Sequence, residues 1–148
     1  MDAYNTFHET LVGLFNDIME LEQKAIITDR FKNITNNDMH IIEAIGDKAA
    51  KNMSSVAKTL KVTVGTLTIA INSLVKKGYV NRTRSEKDKR VVLISLSDLG
   101  REAFDHHKKF HEKMIGAMME GLDEQETSTL VKALTNLNQF FKSYQCDK

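Results

Sequence analysis

Nine cations crowd between Met53 and Leu96: Lys58, Lys61, Lys76, Lys77, Arg82, Arg84, Lys87, Lys89 and Arg90, against only Glu86 and Asp88. That segment carries a net +7. The whole 148-residue chain has 21 Lys+Arg against 20 Asp+Glu, a net +1, so the remainder carries −6. Positive charge gathered between acidic flanks suits a polyanion, and duplex nucleic acid fits such a footprint. An ordinary solvated lysine face is the alternative that charge alone leaves open. Histidines form the second group with chemistry in reach. His107 and His111 stand four apart, one helical turn, and His40 precedes them. With a carboxylate such as Glu43 or Glu20 these three could ligate zinc.

Other chemistries find no residues. Cys146 is the single cysteine, which excludes a disulfide framework within one chain and a cysteine-rich zinc fold. The chain has no Gly-rich phosphate loop, nucleophile elbow or paired-histidine hydrolase motif, so it is not expected to be an enzyme or to require a cofactor. With 41% hydrophobic residues it has enough apolar side chains for a globular core. No apolar run approaches the roughly 18 to 20 residues that span a bilayer, and no secretory leader is expected before Asp2. The expectation is a cytoplasmic protein with no membrane partner.

The elements that must position these residues can be read from period. Tyr4, Phe7, Leu11, Leu14, Ile18 and Leu21 step by three and four, a helical stripe expected to run to about Arg30. Thr35 with Asp38 forms a capping box opening a second helix, Asn36 to Ile45, which Gly46 ends. Asn52 caps a third helix, Met53 to Leu60, and Thr63 a fourth, Val64 to Lys77, stopped by Gly78. The period then shortens. Tyr79 to Arg82 and Val91 to Leu96 are β-rich runs, separated by a charged tip from Ser85 to Arg90. Ser97 caps a long fifth helix, and Asp123 with Glu126 opens a sixth bearing the stripe Leu130, Leu134, Leu137, Phe141, Tyr144.

Helix, three-residue turn (Lys61, Val62, Thr63), helix and hairpin make a winged helix-turn-helix. The expected fold class is therefore mainly α with a small β-hairpin wing, flanked by long N- and C-terminal helices. Residues 35–97 form the DNA-binding lobe, and 1–34 with 98–148 form a helical dimerisation region. The terminal stripes are longer than one small chain can cover. A two-fold homodimer is the natural solution, with a monomeric bundle as the alternative.

The second helix of such a unit enters the major groove. Val64, Leu67, Ile71, Leu74 and Val75 supply its inward face. Gly65, Thr66, Thr68, Ile69, Asn72 and Lys76 remain outward, small or hydrogen-bonding and without an anion. Thr side chains suit phosphates and thymine methyls, and Asn72 suits adenine or a phosphate. Ser54 and Thr63 join this face at helix starts. The wing adds Arg82, Arg84, Lys87, Asp88, Lys89 and Arg90, whose tip can slide along the backbone and place a cation in a narrow minor groove. Asp88 would orient a nearby arginine such as Arg90. Duplex DNA with an inverted-repeat operator is the expected partner.

From Asn52 to Glu102 the chain resembles the winged-helix segment of the MarR family of bacterial regulators. The marks are the alanine-containing third helix, the Lys76-Lys77-Gly78 turn, the Asp-x-Arg wing at Asp88 and Arg90, and Leu96-x-x-x-Gly100 at the fifth helix. Within the family it is most similar to repressors of fatty-acid synthesis genes in Gram-positive bacteria. That similarity lies in Val62–Thr68, Asn72–Val80, Arg84–Val92 and Leu134–Phe140, with Phe110-His111 and Met114-Ile115-Gly116.

The resemblance implies a corepressor, a long-chain acyl group carried on acyl carrier protein and held in an apolar tunnel. Adaptable side chains for such a tunnel are Phe15, Ile18, Met19, Met39, Phe110, Met114 and Met118, each of which could equally be ordinary core. An acidic carrier protein would dock on cations of the fifth helix, namely Arg101, Lys108, Lys109 and Lys113. Two alternatives within the family are a zinc-responsive regulator using His40, His107 and His111, and a regulator responsive to small phenolic or lipophilic ligands. The zinc-sensing members carry a first-helix cysteine absent here, and a glutamate where Met39 stands.

Overall fold

The computed structural model describes residues 2–28 and 30–146, the side chains of Gln145 and Cys146 excepted. In chain order the elements are α1 (Ala3–Ile26), α2 (Asn36–Ile45), β1 (Lys51–Asn52), α3 (Met53–Leu60), α4 (Val64–Lys77), β2 (Val80–Arg84), β3 (Val92–Leu96), α5 (Asp98–Met119) and α6 (Glu124–Cys146). This is a mostly helical winged-helix fold with a small antiparallel sheet. The chain divides into two compact units, residues 1–110 and 111–148.

Local chemistry explains the element boundaries of the first unit. Thr35 and Asp38 cap α2 reciprocally, each side chain accepting the other's backbone N–H at 3.1 Å. The Asn52 side chain accepts from the Ser55 N–H at 2.8 Å and starts α3, and Thr63 accepts from the Thr66 N–H at 3.1 Å and starts α4. Between them Lys61 takes a left-handed conformation, φ 56°, which turns the chain from α3 into α4. Gly78 closes α4 at φ 90°. α1 ends four residues short of the expected Arg30. Ile27 turns extended, and the chain then sends Phe31 and Ile34 into the core.

The sheet has three strands in the order β1-β3-β2. The period-two pattern predicted the β2–β3 hairpin but not β1, a two-residue strand pairing Lys51 with Ile94 and Asn52 with Leu93. In the hairpin Val80 lies opposite Leu96, Arg82 opposite Ile94 and Arg84 opposite Val92. Directly opposed residues share a sheet face. The inner face of β2 therefore passes from apolar Val80 to cationic Arg82 and Arg84 as the strand leaves the core.

That core joins Ile26, Met39, Ile42 and Ile45 to Val56, Leu67, Ile71 and Leu74, with Tyr79, Ile94 and Leu96 from the sheet side and Ala103 from α5. α5 packs so closely that a Cβ on Gly100 would collide with the Tyr79 carbonyl oxygen. Ser97 fastens the same corner, its hydroxyl donating to the Gly78 carbonyl at 2.5 Å and accepting from the Gly100 N–H at 3.1 Å. The Lys77 ammonium meets the Asp38 carboxylate at 2.8 Å, tying the end of α4 to the start of α2.

The terminal helices contrast with this. Before Glu22, α1 buries no described side chain, and Tyr4, Phe7, Leu14 and Phe15 are at least half exposed. The second unit holds the end of α5 and α6, and no described residue there is buried. Asp123 and Glu126 cap α6 reciprocally at 3.0 and 2.8 Å. Among the described residues no helix is long and apolar enough to cross a membrane.

Candidate DNA interface

α4 buries Leu67, Ile71 and Leu74 and turns Gly65, Thr66, Ile69, Asn72 and Lys76 outward. Ile69, 75% exposed, is an apolar side chain on an otherwise polar face. Val64 was expected to face inward but is 44% exposed. As the first residue of α4 it lies past the edge of the core and lines a surface cleft instead.

Hydrogen bonding separates the two threonines. The Thr63 hydroxyl donates to Thr66 Oγ1 at 2.9 Å, which leaves the Thr66 hydroxyl its own proton to give outward. The half-buried Thr68 donates its proton to the Val64 carbonyl at 2.7 Å, within its own helix. Thr68 thus offers lone pairs and a methyl, whereas Thr66 offers a donor. Asn72 is also engaged, its Oδ1 accepting from the Arg82 guanidinium.

The wing is ordered by its own side chains. Arg84 donates to the Lys89 carbonyl at 2.9 Å. The Asp88 carboxylate accepts from both the backbone and the guanidinium of Arg90 at 3.1 Å. Those bonds, the side-chain one foremost, hold the Asp88 carboxyl below its usual range. Ser85 and Val91 close the tip, the Ser85 N–H donating to the Val91 carbonyl at 2.9 Å. Lys87 and Lys89 stand exposed.

Between wing and helices runs a cleft of about 470 Å³ lined by Asn52, Met53, Ser54, Val64, Thr68, Arg82, Arg90, Val91 and Val92. The fold thus brings Ser54, Thr68, Arg82 and Arg90 to one concave surface, with Asn72 joined to it through Arg82. Gly65, Thr66, Ile69 and Lys76 stand on the outward face of α4.

The apolar and cationic candidates outside this interface differ in exposure. Met39 is 1% exposed and belongs to the core, Phe15 and Met19 on α1 are exposed, and Ile18 and Phe110 are half-buried. In the second unit Met114 is half-buried and Met118 exposed. Arg101, Lys108, Lys109 and Lys113 are all exposed on α5.

His107 is buried, its Nε2 lying 2.8 Å from Glu43 Oε1 and 3.1 Å from Glu22 Oε1. Glu43 was an expected partner, but Glu20 instead pairs with Lys24. Glu22 was missed, although Ile18, Glu22 and Ile26 share one helical stripe, a pattern that marks 22 as an inward position. His40 does not join His107. It lines a separate cavity of about 160 Å³ with Asn37, Leu60, Val62 and Thr66. His111 is half-buried at the start of the second unit.

A helix-turn-helix followed by an arginine-bearing wing defines a winged-helix DNA-binding unit. A family model described as transcriptional regulator SarA/Rot matches residues 23–107. The chain belongs to this family of MarR-type winged-helix transcriptional regulators, DNA-binding proteins and not enzymes. It is similar to FabT of Streptococcus pneumoniae, whose crystal structure was solved in complex with DNA. The two are 39% identical over 95% of this chain and 99% of that one, with a TM-score of 0.85. It is also 28% identical to the transcriptional regulator PchR of Bacillus subtilis, over 78% of this chain and 69% of that protein. The fold alone is shared with MarR of E. coli in its complex with operator DNA, at 23% identity and a TM-score of 0.59, over 93% of this chain and 99% of that one.

Proposed function

We propose that the protein is a homodimeric cytoplasmic repressor of fatty-acid synthesis genes that binds an inverted-repeat operator and takes long-chain acyl groups on acyl carrier protein as its corepressor. The observation that carries this reading is the 39% identity to FabT across nearly the full chain. It adds to the resemblance, seen in the motifs of α4 and the wing, to Gram-positive repressors of these genes. Residues 1–34 and 98–148 form the dimerisation region and 35–97 the DNA-binding lobe. The exposed stripes of α1 and α6 need a partner surface, and a second copy related by two-fold symmetry supplies one. Two recognition helices then meet the major groove about 34 to 36 Å apart.

DNA contacts come from Ser54, Thr63, Gly65, Thr66, Thr68, Ile69 and Lys76, and from Arg82, Arg84, Lys87, Lys89 and Arg90, with Asp88 orienting Arg90. In the first unit Phe15, Ile18, Met19 and Phe110 are the candidates for contact with the acyl chain, Met39 being part of the core, and in the second unit the candidates are Met114 and Met118. Arg101, Lys108, Lys109 and Lys113 receive the acidic carrier. An acyl chain can tighten DNA binding only by preferring the DNA-competent state. At about 0.8 kcal/mol per buried methylene, a long chain has ample energy for the roughly 1 to 3 kcal/mol of a typical coupling.

A second reading, a zinc-responsive regulator, draws on His107. One buried imidazole nitrogen facing two carboxylate oxygens is a setting that a cation suits as well as a proton. One titration decides between the readings. Operator affinity is followed with long-chain acyl carrier protein, with a zinc salt and with a chelator. A tightening by the acylated carrier that charge reversal at Lys108 and Lys109 abolishes supports the first. Indifference to the carrier combined with a tenfold response to zinc supports the second.

A further inference from the structure

We infer that Asn72 is a positioning residue that holds Arg82 in the DNA cleft at full charge, and that it does not itself read a base. The inference rests on the proposed DNA face and concerns how that face is built. Arg82 sits opposite Ile94 in the sheet, so its stem starts on the core-facing side and its guanidinium reaches across to α4. There it donates to Asn72 Oδ1. A guanidinium has donors only, so the amide must turn its oxygen to Arg82 and its NH2 away. Reading adenine in the major groove asks one amide for both its oxygen and its NH2, aimed together at N7 and N6. With the oxygen directed at the wing, that pair is no longer aimed at DNA.

The residue type at position 72 carries the argument further. Of the wing arginines, Arg90 is held by the Asp88 carboxylate, which offsets its charge as it orients it. Arg82 and Arg84 are held by neutral oxygens, an amide and a backbone carbonyl, and keep their whole charge. A guanidinium bonded once still has four N–H groups for a phosphate. An asparagine at position 72 therefore fixes the angle between recognition helix and wing without weakening the phosphate contact. An aspartate would fix it and cancel the charge.

The test uses the full-length protein and a duplex selected by the wild type from a random-sequence pool. Affinity is measured across a salt series and against every single-base variant of that duplex. Arg82→Ala should lower affinity and reduce the salt slope by about 0.9, one phosphate's share. Asn72→Ala should cost about 3- to 10-fold in affinity, the scale of one lost hydrogen bond. It should leave the order of base preferences unchanged and have no further effect in the Arg82→Ala background. Asn72→Asp should lower the slope nearly as far as Arg82→Ala does. An Asn72→Ala penalty that persists without Arg82, or a changed preference at one base pair, overturns the inference and makes Asn72 a reader. If Arg82→Ala changes neither affinity nor slope, the cleft is not the DNA face, and the inference falls with that reading.

Discussion

The winged-helix lobe and the terminal helices are built from similar apolar residues, put to different use. In the lobe the inward positions of α2, α3 and α4 close on one another, and Ile42, Ile71, Leu74 and Ile94 are wholly buried. On α6 the stripe is as regular, yet Leu134 is 45% exposed and Phe141 55%. The difference teaches that periodicity reports which face of a helix is apolar and not what covers it. The lobe completes its core within one chain, whereas the outer helices leave much of their apolar faces exposed.

The strongest way to break this contrast is to charge the α6 stripe. Replacing Leu134 and Leu137 together by glutamate should turn a dimer into monomers in sedimentation velocity, each loss being of the order of the ~2 to 5 kcal/mol that large apolar truncations cost at buried sites. The lobe, holding its own core, should keep its cooperative unfolding. A doubly charged variant that is still dimeric and equally stable would show that α6 was never an interface.

The next largest effect should fall inside the lobe. Gly100→Ala sets a methyl against the Tyr79 carbonyl oxygen, a rigid backbone atom. Such overpacking costs about 1 to 3 kcal/mol. The same change at Gly116, on the same helix but with nothing near its missing Cβ, should be neutral or stabilising. Equal urea midpoints for the two variants would deny the lobe its tight closure.

Tyr79 gives a smaller and pH-dependent effect. Its ring is buried and its hydroxyl donates to Asn33 Oδ1 at 2.9 Å. Burial first, and the Asp38 carboxylate second, hold the hydroxyl above the ordinary tyrosine range. A folded-state pKa raised in this way favours the folded protein fully below the unfolded value of about 10, and the advantage is lost as pH rises from there through the raised folded-state value. Tyr79→Phe should cost about 0.5 to 1.5 kcal/mol at neutral pH. It should also flatten the alkaline fall in melting temperature. If wild type and variant lose stability in parallel above pH 10, Tyr79 is not the group responsible.

What could be read from sequence follows the reach of each interaction. Caps are local, three residues from end to end, so Thr35 with Asp38, Asn52, Thr63, and Asp123 with Glu126 marked the helix starts correctly. The inward face of α4 was legible at Leu67, Ile71 and Leu74, where period and core agree. It failed at Val64, because period does not say where the core stops. β1 is two residues long and carries no pattern. The partners of the site were out of reach for the same reason. Asn72 and Arg82 meet only because the hairpin folds back on α4, and Glu22 and His107 meet across 85 positions of chain. Residue types named the candidates, but the fold decided which of them act together.

The smallest predicted effect reverses sign between the two regions. Lys61 joins α3 to α4 in a left-handed conformation, the single non-glycine with positive φ among the described residues. An L-residue there carries a steric cost of roughly 1 to 2 kcal/mol, which glycine escapes. Glycine adds about 0.5 to 1 kcal/mol of unfolded-chain entropy. For the backbone alone, the balance at this position is a gain of about 0.5 to 1 kcal/mol, read as Lys61→Gly against Lys61→Ala. Lys132 is also exposed but lies inside α6, where glycine relieves no strain, so Lys132→Gly should lose about 0.5 to 1 kcal/mol. Paired urea titrations of the two variants read the sign directly. Lys61→Ala, which already lacks the side chain's own contacts, is the reference, and a Lys61→Gly variant no more stable than Lys61→Ala would mean that the α3–α4 turn holds this position without strain.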